Sequence, residues 1–264
     1  MTPLYNYNIA EHIVAFSTER GQGATNGPYS QFNVNEWCGD SMTHVTQCRA
    51  ELCHRLGISA DRLIMPHQVH GTKVVTISKS SWNSLSEKLE GADSLITDLS
   101  GICIGVNTAD CVPLLIYDPE HEAIAAVHAG WRGTVKRIAV ITLARMYESY
   151  GTKPEDIRCW MGPSIGPDAF EVGDEVAEAF SDAGFPMPEI AIRLPNEDEP
   201  SVLRWHINLW KANVWQMQKC GVLPENIFPT NICSYSNHER FFSARRLGKQ
   251  SGRTLTGILK IHNS

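Results

Sequence analysis

Three short segments of this 264-residue chain each carry a side chain that can bind a metal within a turn-rich motif. They read Pro66-His-Gln-Val-His-Gly71, Ala109-Asp-Cys-Val-Pro113 and Val127-His-Ala-Gly-Trp-Arg-Gly133. Each segment adjoins a strand-like run, so its polar side chain is expected to project from a sheet edge into a cleft. The imidazoles of His70 and His128 and the thiolate of Cys111 suit zinc, with a fourth position left for water or substrate. Three protein ligands and an open position are typical of a catalytic zinc site.

The spacing of these residues leaves other interpretations open. The three candidate ligands lie 41 and 17 residues apart, so their convergence in space is a hypothesis. A histidine flanked by glycine and apolar residues is more often a hydrogen-bonded loop residue than a ligand, and a cysteine before Val-Pro is more often simply buried. Cys111 could instead be a nucleophile with His128 as its base, which would make the chain a cysteine hydrolase or amidase without a metal. His67, close to His70, is interpreted as a bystander rather than as a supporting partner.

The composition of the chain excludes several classes of protein. Hydrophobic residues make up 42% of the sequence and charged residues 20%, which indicates a globular chain rather than a disordered one. No apolar run approaches the roughly 20 residues of a membrane-spanning helix. A net charge of −6 argues against nucleic acid as a partner, because phosphate neutralisation needs a basic face. The composition therefore argues against both a membrane and a nucleic acid as partners.

Cysteine usage indicates the compartment. The eight cysteines contain no Cys-x-x-Cys pair, and the first residues show neither a basic segment nor an apolar one that would resemble a secretory signal. Both observations predict free thiols in the reducing cytoplasm. Seven of the cysteines are expected to be ordinary thiols, and Cys111 is the exception.

The elements that must position the three candidate ligands are predicted from hydrophobic periodicity. Helices are expected over residues 41–56, 132–150, 174–182 and 209–220. Strands are expected over residues 62–65, 73–77, 94–97, 102–106, 112–117, 123–127, 157–161, 241–244 and 256–261. An exposed acidic loop is expected over residues 194–201. Because strands come in runs rather than alternating with helices, the predicted fold class is α+β, a single domain over residues 1–264 with mixed β-sheets flanked by helices.

The three segments also carry a family resemblance. Gln68-Val-His-Gly71, Ala109-Asp-Cys-Val-Pro113 and His128-Ala-Gly-Trp-Arg-Gly133 resemble the signature motifs of the family named polyphenol oxidase, laccase-domain protein or peptidoglycan editing factor. Members of that family are also assigned as purine nucleoside phosphorylases. The resemblance continues in Phe16-Ser-Thr18, Gly27-Pro-Tyr29, Gly162-Pro-Ser-Ile-Gly166, Glu171-Val172, Phe241-Phe-Ser243, Arg245-Arg246 and Gly252-Arg253. It implies that His70, Cys111 and His128 bind zinc.

The resemblance implies a zinc-dependent purine nucleoside phosphorylase acting on adenosine, inosine and methylthioadenosine, with adenosine deaminase activity. Phosphorolysis needs cations to hold phosphate and a proton donor for the purine. Arg49 and Arg245 are candidate substrate-binding residues, because a guanidinium grips phosphate through two hydrogen bonds. Deamination needs an activated water, which an open metal position would provide. Asp110 is interpreted either as a carboxylate that orients a ligand histidine or as a turn-forming residue.

The names used for the family point to different reactions. Oxidation of phenols by a laccase needs several redox-active coppers, and this sequence has none of the His-x-His pairs that multicopper proteins use. Copper could still occupy a site of two histidines and one cysteine in vitro, because Cu²⁺ generally outbinds Zn²⁺. The peptidoglycan-editing name favours the alternative in which Cys111 and His128 act on a cell-wall precursor. A third hypothesis, a non-catalytic scaffold, predicts no turnover of inosine with phosphate. The sequence does not indicate the oligomeric state.

Overall fold

Two large β-sheets pack face to face in the computed structural model, which describes residues 3–21, 28–196 and 199–261. The five-stranded sheet has the order β1 (Leu4–Ala10), β2 (Ile13–Thr18), β14 (Thr254–Lys260), β6 (Cys103–Thr108) and β3 (Leu63–Ile64). The six-stranded sheet has the order β13 (Ile227–Pro229), β9 (Arg158–Met161), β7 (Val112–Asp118), β8 (Ala123–Ala129), β5 (Ala92–Thr97) and β4 (Lys73–Ile77). A small third sheet consists of β10 (Glu171–Val172), β12 (Leu203–Ile207) and β11 (Ala191–Pro195).

Parallel and antiparallel pairs occur together in both large sheets. The pairs β3/β6, β4/β5 and β9/β13 are parallel, and the other pairs in these sheets are antiparallel. Helices cover the outer faces of the two sheets. The predicted fold class, α+β with mixed β-sheets flanked by helices, is therefore confirmed.

The α-helices of the described chain range from four to fifteen residues. They are α1 (Met42–Leu56), α2 (Leu85–Leu89), α3 (Trp131–Val135), α4 (Ile138–Tyr150), α5 (Asp174–Asp182), α6 (Met187–Ile190), α7 (Leu209–Lys219) and α8 (Ala244–Leu247). Helix α1 packs its buried stripe on the five-stranded sheet and α4 packs on the six-stranded sheet, while α5 contacts β12 of the small sheet and α7 contacts α3, α4 and α6. The protein thus has four layers in the order helix, sheet, sheet, helices. No described helix has both the length and the apolar character needed to cross a bilayer.

The alternation of side chains along β8 determines where its histidine points. Ile124 and Ala126 belong to the apolar layer between the two sheets, whereas Ala125 and Val127 belong to the layer under the helices. Because successive side chains of a strand point to opposite faces, His128 points to the same face of β8 as Ile124 and Ala126. The imidazole is therefore placed at the end of the layer between the sheets.

The predicted helix over residues 132–150 is wrong as a single element, because it is divided into α3 and α4. Arg137 lies between them in the left-handed region, with φ of 66°. Its guanidinium stacks over the ring of Phe185, 3.8 Å from the centroid, and donates a hydrogen bond of 2.6 Å to the carbonyl of Ala183. These tertiary contacts offset an unfavourable backbone conformation that periodicity alone does not reveal.

The predicted strand over residues 241–244 is also wrong. Phe241 and Phe242 are buried outside any strand, and the chain then enters the short helix α8, where the Ser243 hydroxyl caps the helix by accepting a hydrogen bond from the amide of Arg246. The expected acidic loop begins later than predicted, because Leu194 and Pro195 still belong to β11. Residues 197–198 of that loop lie outside the described residues, as does Gly27 of the Gly27-Pro-Tyr29 motif.

Candidate metal centre

The structure brings His70, Cys111 and His128 together at one end of the facing sheets. Their candidate ligand atoms all lie within 4.8 Å of one another. His70 lies in the turn between β3 and β4, Cys111 directly precedes β7, and His128 lies near the end of β8. Strands β7 and β8 are antiparallel neighbours in which Pro113 pairs with His128, so the start of one strand meets the end of the other. The convergence that the sequence left as a hypothesis is thus present in the fold.

A buried carboxylate fixes the turn that carries His70. Asp93, on β5, is completely buried, and its two oxygens accept hydrogen bonds from the backbone amides of Val69, His70 and Gly71, at 3.3, 3.0 and 2.7 Å. His70 has φ of 61°, a left-handed conformation that is uncommon for a residue other than glycine. Three amides directed at one carboxylate provide the stabilisation that this turn requires.

The same carboxylate orients His128. Oδ1 of Asp93 lies 2.7 Å from Nδ1 of His128, and both side chains are buried. An ionised carboxylate only accepts, so Nδ1 carries the proton and Nε2 is the ring atom left for a ligand or substrate. Sequence reasoning did not identify Asp93, although it is the one charged residue of β5, and this was a usable signal.

Asp110 has a different role from the orienting role considered for it. One of its carboxylate oxygens accepts a hydrogen bond of 2.7 Å from the Ser234 hydroxyl, and the other accepts one of 2.7 Å from the backbone amide of Arg245. Its own backbone is left-handed, with φ of 91°. Asp110 therefore holds the segment around residues 234–245 against the turn before Cys111. The carboxylate that orients a histidine of the centre is Asp93.

Burial and charge together set the protonation of the centre. Burial disfavours the thiolate of Cys111, but the charge of His128 and hydrogen bonds from both imidazoles outweigh it and lower the pKa of the thiol below its ordinary value. Burial also opposes a charge on His128, yet the thiolate and the hydrogen bond to Asp93 raise the pKa of the imidazole. Part of the cysteine surface still reaches the solvent. The pair therefore favours a thiolate in a protected but accessible position.

Gly130, in the His128-Ala-Gly motif, leaves room for the centre. A Cβ atom at this position would lie 2.9 Å from Sγ of Cys111 and 3.0 Å from Cδ2 of His70. The backbone there is extended, with φ of −66°, so the glycine is needed for space rather than for conformation. The motif thus supplies one candidate ligand, His128, and also the space beside Gly130 that Cys111 and His70 occupy.

The donor set fits a zinc ion. Ligands at about 2.3 Å for sulfur and about 2.1 Å for nitrogen, at tetrahedral angles, lie about 3.5 Å apart. Sγ of Cys111 lies 3.7 Å from Nε2 of His70, close to that separation. One thiolate and two imidazoles are donors that zinc prefers, and three of them leave a fourth position open. The three side chains can therefore hold a metal ion.

The candidate centre opens into a cleft of about 400 Å³. Its lining includes the three candidate ligands, His67, Trp37 and two cationic residues, Lys249 and Arg253, while none of the described residues that line it is acidic. The rings of Trp37 and His67 stack at a centroid distance of 5.1 Å, and Nδ1 of His67 lies 2.7 Å from a carboxylate oxygen of Glu90. His67 is thus part of the cleft wall although it is outside the group of candidate ligands.

The two arginines proposed from the sequence do not line this cleft. Nε of Arg49 donates to the carbonyl of Val34 at 2.8 Å, and its guanidinium pairs with Glu36 at 3.4 Å. Arg245 lines a neighbouring cavity of about 840 Å³, where its guanidinium donates to backbone carbonyls of the segment around residues 169–171. Sequence reasoning noted Gly252-Arg253 as a motif without giving Arg253 a role.

Comparison with known proteins gives one family. A family model described as "Multi-copper polyphenol oxidoreductase laccase" matches residues 14–260. A protein of Bacteroides thetaiotaomicron named purine nucleoside phosphorylase is 43% identical, over 98% of this chain and 94% of its own. A protein of an unknown prokaryotic organism named adenosine deaminase RL5 is also 43% identical, over 95% of each chain. The crystal structure of Bacillus licheniformis YfiH, 23% identical, covers 95% of this chain and 93% of its own with a TM-score of 0.85, which supports the same fold.

Proposed function

Because the chain belongs to the family described as multi-copper polyphenol oxidoreductase laccase, we propose that it is a zinc-dependent purine nucleoside phosphorylase that also deaminates adenosine. A phosphorylase-type enzyme is supported by the relatives named purine nucleoside phosphorylase and adenosine deaminase. The proposed substrates are adenosine, inosine and methylthioadenosine together with phosphate. The observation that carries the proposal is the convergence of His70, Cys111 and His128 at the base of an open cleft.

Different residues of the cleft and the buried Asp93 are assigned to metal binding, orientation of His128, purine stacking and proton transfer. Zinc held by the three candidate ligands would supply a Lewis acid toward an atom of the bound nucleoside. Asp93 keeps the proton on Nδ1 of His128 and so fixes the direction of Nε2. The ring of Trp37, stacked on His67 and 42% exposed, offers an aromatic surface to a purine. His67, interpreted from the sequence as a bystander, lines the cleft and pairs with Glu90, which makes it a candidate to carry a proton to the departing base.

Product analysis tests this function directly. Purified protein is incubated with inosine and phosphate, and the products are separated by chromatography. We expect hypoxanthine and ribose 1-phosphate, both dependent on added phosphate, and conversion of adenosine to inosine in a parallel reaction. A Cys111→Ser variant that remains folded is the matched control, and its turnover should fall to background. If zinc-replete protein released no purine base from any of the three nucleosides, neither hypoxanthine from inosine nor adenine from adenosine or methylthioadenosine, the result would contradict the proposal and favour the non-catalytic scaffold.

A cysteine hydrolase or amidase is the second candidate, and one specific observation favours it. Cys111, His128 and Asp93 form a chain in which the acid orients the base and the base faces a thiol with a lowered pKa. That order matches a nucleophile, a base and an orienting carboxylate. Activity that survives a chelator, on a cell-wall precursor amide, would support this candidate. Loss of inosine phosphorolysis on metal removal, with recovery when zinc is added, would support the phosphorylase.

Copper is a competing occupant of the same donors in vitro, because Cu²⁺ binds imidazole and thiolate more tightly than Zn²⁺ does. Metal analysis therefore has to accompany each assay, and activity has to be compared between zinc-loaded and copper-loaded protein. The cytoplasmic location stays a prediction, and the eight free cysteines agree with it.

A further inference from the structure

We propose that Arg253 and Lys249 form an anion subsite in this cleft and that inorganic phosphate is its ligand, an inference that rests on the proposed phosphorolysis. Both residues line the same cleft as His70, Cys111 and His128. No described residue of the cleft lining is acidic, so the cationic side chains there are not neutralised within the cleft. A cleft that carries fixed positive charge next to a reactive centre favours an anionic ligand.

The guanidinium of Arg253 is held in place while part of it stays available. Its Nη1 donates to the carbonyls of Ser251 and Gly252, and its Nη2 donates to the carbonyl of Lys249 at 3.1 Å. A guanidinium has five N–H groups, so Nε–H and one Nη2–H have no acceptor among the described residues. Nε and Nη2 are adjacent nitrogens, and together they can bind two oxygens of one phosphate.

The backbone around Arg253 is also fixed. Its amide donates a hydrogen bond of 3.1 Å to Oδ1 of Asn33, and the amide of the preceding Gly252 donates one of 3.1 Å to the carbonyl of Pro28. The side chain is half-buried, which lowers the screening of its charge by water. A guanidinium held by three carbonyls loses little side-chain entropy when it binds, so the subsite is preorganised.

The sheet places this subsite beside the metal centre. Arg253 directly precedes β14, and Thr254 of that strand pairs with Thr108, the last residue of β6. The chain leaving Thr108 reaches Cys111 after two residues, and both Thr108 and Cys111 line the cleft. The cationic side chain therefore stands at the end of the five-stranded sheet, facing a centre built at the end of the six-stranded sheet.

Lys249 adds a second charge on the same turn. Its carbonyl accepts from Arg253, whereas its ammonium has no hydrogen-bond or ion-pair partner among the residues that the structure describes. Two neighbouring cations without a carboxylate repel each other, and a bound phosphate removes that repulsion. The pair thus has the composition of a phosphate site, in which a planar fork sets the geometry and an ammonium adds charge.

Binding of inorganic phosphate to the zinc-loaded protein, measured by calorimetry, tests the subsite without any turnover. We expect Arg253→Gln to weaken phosphate binding by ~10- to 100-fold, because a charge-assisted bidentate contact is lost. Lys249→Gln should weaken it less, by ~3- to 10-fold, because an exposed ammonium is more strongly screened. Arg145→Gln is the matched control, since Arg145 is an exposed arginine on α4 that pairs with Glu148, and its phosphate affinity should stay that of the wild type. Thermal unfolding of every variant checks that the fold is intact.

Kinetics separates failure of the subsite from failure of the function. If inosine is phosphorolysed, Arg253→Gln should raise the KM for phosphate by the same factor and change the KM for inosine much less. Phosphorolysis with an unchanged KM for phosphate in this variant would overturn the subsite and leave the function standing. Phosphate binding that depends on Arg253 without any base release would overturn the function and leave the subsite standing. Phosphate binding equal in the wild type and in Arg253→Gln would overturn the subsite whatever the assay gives.

Discussion

Oδ1 of Asp93 lies 2.7 Å from Nδ1 of His128, and the same oxygen accepts the backbone amide of His70 at 3.0 Å. One buried carboxylate on β5 therefore orients an imidazole on β8 and also holds the turn that carries the other candidate histidine. Two of the three candidate metal ligands, His70 and His128, therefore depend on a fully buried residue that does not line the cleft. Asp93 acts as a positioning residue, and its effect should be visible in metal affinity before it is visible in any reaction.

Asp93→Asn should weaken zinc binding by ~10- to 100-fold, the usual effect of losing the carboxylate that supports a ligand histidine. The amide that replaces the carboxylate keeps the size of the side chain but has only one acceptor oxygen for three backbone amides and an imidazole. Competition with a chromogenic chelator gives the affinity. Asp118→Asn is the matched control, because this buried carboxylate also accepts two backbone amides and pairs with a histidine but lies at the opposite end of β7 from Cys111. Its zinc affinity should stay within threefold of the wild type, a difference of ~0.6 kcal/mol. Equal affinities for wild type and Asp93→Asn would show that Asp93 does not position the centre.

Alkylation of Cys111 should respond to pH differently from alkylation of the other thiols. Its pKa is lowered, chiefly because His128 outweighs the effect of burial, whereas burial raises the pKa of Cys48, Cys53 and Cys220. A lowered pKa means more thiolate at neutral pH, so in metal-free protein the rate at Cys111 should reach half its maximum well below the ~8.5 of an ordinary thiol. Iodoacetamide labelling followed by peptide mapping measures each site.

Zinc provides the counter-test for the same reaction. If Cys111 binds the metal, stoichiometric zinc should protect it from iodoacetamide and leave the rates of the other accessible thiols unchanged. Rapid labelling of Cys111 in zinc-replete protein would instead support the nucleophile of a cysteine hydrolase.

Gly130→Ala should lower zinc occupancy without removing any donor. The added Cβ would meet Sγ of Cys111 at 2.9 Å and the ring of His70 at 3.0 Å, so the donors must move apart. Metal content measured by mass spectrometry after dialysis should fall well below that of the wild type. Gly133→Ala is the control in the same motif, because its Cβ would meet a methyl group of Ile138 at 3.3 Å and would make only ordinary van der Waals contacts with the carbonyls of Gly71 and His128, at 3.4 and 3.5 Å. Full zinc occupancy in Gly130→Ala would show that metal binding does not require Cys111 and His70 to lie this close to the backbone of residue 130.

Arg137→Ala should lower the free energy of unfolding by about 2 kcal/mol, the scale expected for a stacked cation with a partly buried hydrogen bond. The variant loses the contact with Phe185 and the hydrogen bond to Ala183 while the left-handed backbone conformation between α3 and α4 remains. Urea denaturation measures the change. Arg145→Ala, on the exposed face of α4, should change the stability by less than about 0.5 kcal/mol. Similar losses in both variants would argue against the stacking contact.

Local patterns were sufficient for most of the elements around the centre. Three predicted elements agree with the structure to within one residue at each end: the strands over residues 73–77 and 112–117, which are β4 and β7, and the helix over residues 174–182, which is α5. Alternation and amphipathic spacing in these segments agree with the burial of their side chains. The break at Arg137 was not predictable, since its cause is a contact with residues nearly fifty positions away. Strands β1 and β2 were not predicted, and they gain their place from pairing with each other and with β14.

The candidate site was predictable where residue type determines the chemistry. His70, Cys111 and His128 stand out because few other side chains bind a transition metal, and the turns around them are visible in the sequence. Asp93 and Arg253 were missed as site residues for a different reason. A carboxylate or a guanidinium is common, and its role depends on which atoms lie beside it, which only the packing of β5 against β8 and of β14 against β6 determines.

The position of β14 between β2 and β6 has a kinetic consequence. Ser17 and Thr256 share a buried hydrogen bond across β2 and β14 although they lie 239 residues apart, so a very long loop must close before that pairing stabilises the chain. Folds dominated by such distant pairs form slowly. The three metal donors all lie between residues 70 and 128, whereas Arg253 reaches the cleft only with β14. During refolding, phosphate binding should therefore not be regained before β14 has paired.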